Sequence, residues 1–329
     1  MFEPLGTPTF MLDEKRGAVR SPVIEILVFF LLTLIAQIAQ SVLMLPYQLF
    51  YIFTDGKYFE IGKSGDMAAA MEYVQGLTER MMAEPLFQLF MLLSTVATIA
   101  AVLIYCRYIA KRSFFSLGLS KKPYKEYAVG FFFGILALAA VVGFSLAFGS
   151  VSFVGISGKG NAFFIVALLL GYAVQGFSEE ILCRGYLMTA LGRSMPLWMA
   201  VISSAFAFAA LHVGNAGYSL LAFVNVFLFG VLMALYMIRR GSIWGAAALH
   251  AAWNFAEGVL TDFRVSGMPS AASIFSFTLS EGDEWIHGGA FGPEGGIAVT
   301  CVLAVGIVLL LMMKTKTDVP PMTVETEEK

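Results

Sequence analysis

FFIVALLLGYAVQGFSEEILCRGYLMTAL, residues 163–191, decides the fold. A bilayer is crossed by about 20 predominantly apolar residues, and this run exceeds that. It nevertheless carries Glu179, Glu180 and Arg184. A charge at the bilayer centre costs about 2.5–3.5 kcal/mol on insertion scales, so ionisable groups held there need a compensating arrangement and mark function by default.

The rest of the chain matches this stretch in character. Apolar residues make up 58% of the 329 and charged residues 13%, about half the roughly 25% usual in soluble domains; mean hydropathy is +0.79. The fold class expected is all-α: a polytopic membrane bundle of about eight transmembrane helices. These fall near 22–53, 86–106, 128–148, 163–191, 197–213, 218–238, 242–260 and 295–313. Pro46 is expected to end or kink the first. Within the polar connection 54–85, MAAAMEYVQGLTERMMAE reads as an amphipathic surface helix. The connection 261–294 ends in HGGAFGPEGG, which predicts turns. Gly130 and Gly134 form a small-xxx-small pair that allows close helix packing.

Of the 21 lysines and arginines, fifteen fall on the side of the N-terminus and five on the other, with Arg184 between. The positive-inside rule then puts both termini in the cytoplasm of a multi-pass cell-membrane protein. The polar first twenty residues lack a signal-peptide core, so the first span is expected to stay. The chain divides into a cytoplasmic tail (1–21), two N-terminal spans with their connections (22–127), a core (128–313) and a second cytoplasmic tail (314–329). Net charge of −2 and the lack of a basic, aromatic-interleaved patch exclude a nucleic-acid partner. Cys106, Cys183 and Cys301 lie in apolar runs without paired spacing and predict no disulfide framework.

Away from the helix ends, the ionisable residues inside the predicted spans are Glu179, Glu180, Arg184, His212 and His250. Glu180 and Arg184 are i,i+4 neighbours on one helix face, placed to pair. Glu179 lies about 100° around the helix, on the face of Gln175 and Cys183, with no local cation. A carboxylate so placed suits general acid or base work. Phe208 and His212 are i,i+4, as are His250 and Asn254. At about 1.5 Å rise per residue, Glu179, His212, His250 and Asn254 reach similar depths of a core roughly 30 Å thick. Glu257 and Asn225 take plainer readings: a helix-end glutamate and an interhelical hydrogen-bonder.

A carboxylate, two imidazoles and a carboxamide suit attack of an activated water on a carbonyl. Glu179 takes the water's proton, the histidines hold the water or protonate the leaving amine, and Asn254 donates to the oxyanion. No serine or cysteine is coupled to a base. Glu179, His212 and His250 also make a possible zinc ligand set, although the HExxH spacing is absent. At this point the cofactor is open: none, or a divalent metal such as zinc.

These residues resemble the CAAX-protease and bacteriocin-processing (CPBP, or Abi) family of intramembrane proteases. Its motifs EExxxR, FxxxH and HxxxN appear here, in order, as Glu179-Glu180…Arg184, Phe208…His212 and His250…Asn254. The resemblance covers residues 160–260. It implies hydrolysis of a peptide bond in a membrane-associated protein or peptide. Glu179 would activate the water, His212, His250 and Asn254 would complete the site, and Glu180, Arg184 and Phe208 would support it. Descriptions of the family divide between metal-dependent and glutamate-dependent chemistry. The compact chain with short cytoplasmic loops reads as bacterial. Two other readings use the same residues: a non-proteolytic scaffold or immunity protein binding a membrane partner, and a proton-coupled transporter.

Overall fold

The computed structural model describes residues 5–13, 17–55, 57, 60–61, 63, 66–120 and 123–315. Lys15, Arg16, Lys121, Lys122, Lys316 and Lys329, six of the residues counted for orientation, lie outside these, as does the tail after residue 315.

Each of the eight predicted stretches is helical. They are α1 (Pro22–Thr54), α3 (Pro85–Ile109), α4 (Pro123–Ala147), α5 (Ala162–Leu191), α6 (Leu197–Ala210), α7 (Leu220–Arg240), α8 (Ile243–Phe255) and α9 (Ile297–Met312). The predicted surface helix is α2 (Met67–Met82). Five helices are long and apolar enough to cross a membrane: α1, α3, α4, α5 and α7. The helices α6 and α9 are shorter apolar segments, and α8 is extended by a π turn, Ala256–Leu260.

Local chemistry explains the boundaries. Asp66, Asn161 and Ser219 each accept a hydrogen bond from a first-turn amide of α2, α5 and α7, satisfying a donor the helix itself leaves open. Gly241 ends α7 in the left-handed region at φ 67°, a conformation a side chain disfavours. Pro46 does not end the first span, as α1 continues through it to Thr54. Lipid-facing helices tolerate proline when the freed backbone groups are satisfied nearby.

The middle of the bundle is α8, whose residues are almost all buried. Small residues let its neighbours approach it on both sides. A Cβ on Gly130 of α4 would lie 2.0 Å from the Gly245 carbonyl oxygen, and one on Gly134 would lie 2.4 Å from that of Leu249. From the other side, Gly176 of α5 would meet the Ala251 nitrogen at 2.9 Å. The pair Gly130/Gly134 thus packs α4 onto α8, as its spacing predicts.

One departure from the all-α expectation is a two-stranded antiparallel sheet, β1 (Val151–Ile156) with β2 (Phe275–Leu279). Val151 pairs with Leu279 and Ile156 with Phe275, with an irregularity between Phe153 and Gly155. The strands belong to the two connections on one side of the bundle. They satisfy each other's backbone groups where no helix is available to do so.

Candidate active site

The helix α5 carries the glutamates to the bundle interior and changes winding just after them, with π geometry over Ile181–Met188. A second π turn follows the His250/Asn254 motif on α8. Such turns concentrate at functional sites because they re-aim side chains within a helix.

The adjacent glutamates differ sharply. Glu180 is sealed, with its side chain 0% exposed, whereas Glu179 is 29% exposed and lines a cavity of about 390 Å³. One oxygen of Glu180 accepts from Arg184 Nη1 at 2.9 Å and from His250 Nδ1, also at 2.9 Å. The predicted Glu180–Arg184 pair is therefore present, with an imidazole as a further partner. Arg184 in turn lies over the Phe208 ring, its Cζ 4.5 Å from the centroid, a cation–π contact. A buried ion pair of this kind needs every available partner to offset its desolvation.

Because a carboxylate only accepts, His250 Nδ1 carries a proton and Nε2 is left for the cavity. That Nε2 is 3.6 Å from Glu179 Oε2, an oxygen without a hydrogen-bond partner. The other oxygen, Oε1, accepts from Gln175 Nε2 at 2.5 Å. Gln175 Oε1 accepts from Asn254 Nδ2 at 3.0 Å. Asn254 and Glu179 are thus joined through Gln175, which fixes both rotamers. Gln175 enters the sequence reading only as a neighbour on Glu179's face.

His212 stands just past α6. That helix ends at Ala210 rather than continuing to 213, and His212 occupies a turn whose amide bonds to Ala209 O. The turn follows the pull of the next residues: Asn215 Nδ2 donates to Ser266 O at 2.9 Å, tying the segment to the 261–294 connection. His212 Nδ1 donates to Phe208 O at 2.9 Å, which again leaves Nε2 for the cavity. Glu179, His212, His250, Asn254 and Phe208 all line this one cavity, and Glu180 and Arg184 lie behind it.

The opposite wall comes from the polar connection. Gln88 of α3 donates to Pro269 O at 3.2 Å and accepts from Ala271 N at 2.9 Å, clamping the connection against the bundle. Ser266 and Glu294 line the cavity, and the Ser266 hydroxyl donates to Glu294 Oε2 at 2.5 Å. Burial raises Glu294's carboxyl above its ordinary value, against the opposing pull of Ser266, His212 and His250. Asn225 reaches α9 through Thr300, whose hydroxyl it accepts at 2.6 Å, and also donates to the Glu294 and Gly296 carbonyls at 2.8 Å each. Its interhelical reading is therefore met and extended. Glu257 corrects its reading: placed near a helix end, where water would solvate it cheaply, it is fully buried, with the Trp253 side chain and the Glu294 backbone against its carboxyl. The connection folds over that end of α8 and seals it from water.

Glu179, His212 and His250 do not form a ready metal site in this arrangement. Among the described residues, no three His, Cys, Asp or Glu side chains gather as a metal-holding group; both histidines engage Nδ1 with a carboxylate or a carbonyl, the partners that also orient an imidazole whose Nε2 binds a metal.

Residues 160–256 match the family model described as type II CAAX prenyl endopeptidase Rce1-like. The match bears out the resemblance to the CAAX-protease family and supports an intramembrane protease kind of function. The matched segment contains every motif residue named above, from Glu179 to Asn254. The chain is also similar to a Bacillus subtilis (strain 168) protein named Uncharacterized protein YyaK, with 28% identity over 214 residues, covering 61% of this chain and 71% of that protein.

Proposed function

We propose that the protein is an intramembrane endopeptidase that hydrolyses a peptide bond in a membrane-associated protein or peptide, with Glu179 as the base that activates water. The observation carrying this reading is that Glu179, His212, His250 and Asn254, from three segments of the chain, line one cavity of about 390 Å³.

Glu179 and His250 stand side by side at the cavity, Oε2 3.6 Å from Nε2, so a water admitted between the two side chains would be within reach of both. Glu179 takes its proton as the water attacks the carbonyl carbon. The second Asn254 N–H donates to the carbonyl oxygen as it becomes an oxyanion. The proton held by Glu179 then passes to the leaving amine, so the base is regenerated as the C–N bond breaks. His212 Nε2 steadies the water or the tetrahedral intermediate. Glu180 fixes the tautomer and orientation of His250, the service a buried carboxylate gives an imidazole base, and Phe208 holds both Arg184 and His212.

The protease core is assigned to 128–313, with 22–127 as flanking spans. Both termini face the cytoplasm, eight helices cross the bilayer and the source is bacterial. Support comes from the lysine and arginine bias and from the YyaK similarity. The test is cleavage of membrane peptides by the purified protein in liposomes containing ¹⁸O-labelled water. One ¹⁸O in each new C-terminal carboxyl, lost with His212→Ala in a folded protein, is the expected result. Undiminished cleavage by His212→Ala overturns the role given to the second motif.

A further inference from the structure

The sequence HGGAFGPEGG, residues 287–296, has a construction that turn formation alone does not require. Its glycines press backbone against backbone. A Cβ on Gly288 would lie 1.8 Å from Gly292 O, one on Gly292 1.9 Å from Arg264 O, and one on Gly296 2.0 Å from Ile286 O. Gly288 and Gly292 also hold φ of 84° and 98°, the region that favours glycine. Asn225 grips the same loop through two carbonyls. The one acidic side chain of the stretch, Glu294, is thereby delivered to the cavity wall contributed by the polar connection, where Ser266 holds it. Burying a carboxylate is costly without a compensating partner, and this one is only 8% exposed.

The cavity's charge then points to a ligand. Glu179 and Glu294 line it with two imidazoles, and no lysine or arginine lines it among the described residues. Glu180 and Arg184 behind it neutralise each other. Arg264, the nearest basic residue along the connection, is turned to its own loop through Gly267 O at 3.1 Å. With both carboxyls ionised the cavity is negative or neutral whatever the histidines carry, and a cation entering this low-dielectric setting favours that ionised state.

Building on the endopeptidase reading, we infer that Glu294 is a specificity-determining residue: it forms an acidic subsite that receives a basic side chain, lysine or arginine, of the peptide next to the scissile bond. The subsite binds and orients the substrate and takes no part in bond breaking.

The test is binding to the uncleaving Glu179→Gln protein in detergent, so its outcome does not depend on turnover. The probes are two amphipathic peptides of equal length, one with a central lysine and one with glutamate there, each also N-acetylated to separate side chain from α-amine. The lysine peptide is expected to bind at least tenfold tighter, acetylated or not. Adding Glu294→Gln removes the preference, and Glu294→Lys reverses it. Ser266→Ala, which leaves the carboxylate but frees it, reduces the preference without abolishing it and covers the case in which the Glu294 variants fail to fold. Equal affinities, or a lysine preference that survives Glu294→Gln, overturn the inference. A preference that disappears on acetylation also overturns it, since the α-amine is then the group recognised. The endopeptidase reading fails separately, if Glu179→Gln cuts as well as the parent.

Discussion

The cavity has two walls built on different principles. One is helical: α5, the turn after α6, and α8 set Glu179, His212, His250 and Asn254 on rigid segments, each with a partner behind it. The other is loop: Ser266 and Glu294 hang from a connection closed by glycine contacts and by the carboxamides of Gln88 and Asn225. Rigid elements hold reacting groups to the tolerance that chemistry needs, while loops supply recognition that can vary. On the proposed reading, bond breaking falls to the first wall and substrate selection to the second.

That division can be broken by substitution. The largest effect is expected on the helical wall, where His212→Ala lowers kcat by about 10²–10³, the usual range for a lost donor to a tetrahedral intermediate, with little change in KM; a rise in KM at unchanged kcat would move His212 to the recognition side. Next, Arg184→Ala leaves Glu180 buried without its cation and is expected to cost about 3–5 kcal/mol of stability, read as a lower yield of folded protein and a lower melting temperature. Gly134→Ala forces a Cβ against the Leu249 carbonyl and is expected to cost about 1–3 kcal/mol by overpacking, displacing the helix that carries His250. Activity and thermal stability should fall together in that variant; a stable but inactive protein would uncouple packing from site geometry. The smallest effect belongs to the loop wall. Ser266→Ala removes one hydrogen bond, worth about 0.5–1.5 kcal/mol, and is expected to raise KM several-fold with kcat near the parent value. A collapse of kcat in Ser266→Ala would mean that the loop wall takes part in chemistry.

The two walls also differ in how far the sequence discloses them. The helices are visible because long apolar runs with few charges admit little else, and the motif residues stand out as polar exceptions inside them. Their depth follows from the rise per residue. What spacing does not give is contact between helices: the Glu180–His250 hydrogen bond joins positions 70 apart, and Gln175 looks like an ordinary neighbour until Asn254 is seen to reach it. The loop wall is hidden more completely. HGGAFGPEGG reads locally as turns, and turns it forms, but nothing local says that Glu294 faces His212 across a cavity. The strands β1 and β2 escape for the same reason, since Val151 finds its partner at Leu279. Glu257 sits near a helix end in both views; only the packed connection shows that this end is dry.

The most direct measurement compares Glu179→Gln and the parent under single-turnover conditions, each reconstituted in liposomes with the same membrane-peptide pool and read by mass spectrometry of the cut ends. The exchange removes one proton-accepting oxygen while keeping shape and the Gln175 contact within reach. With the folded variant recovered at parental yield, no new C-termini should form above the protein-free background. Cut ends appearing at the parent's rate would show that Glu179 is not the base, and that the peptide bond is broken by other means.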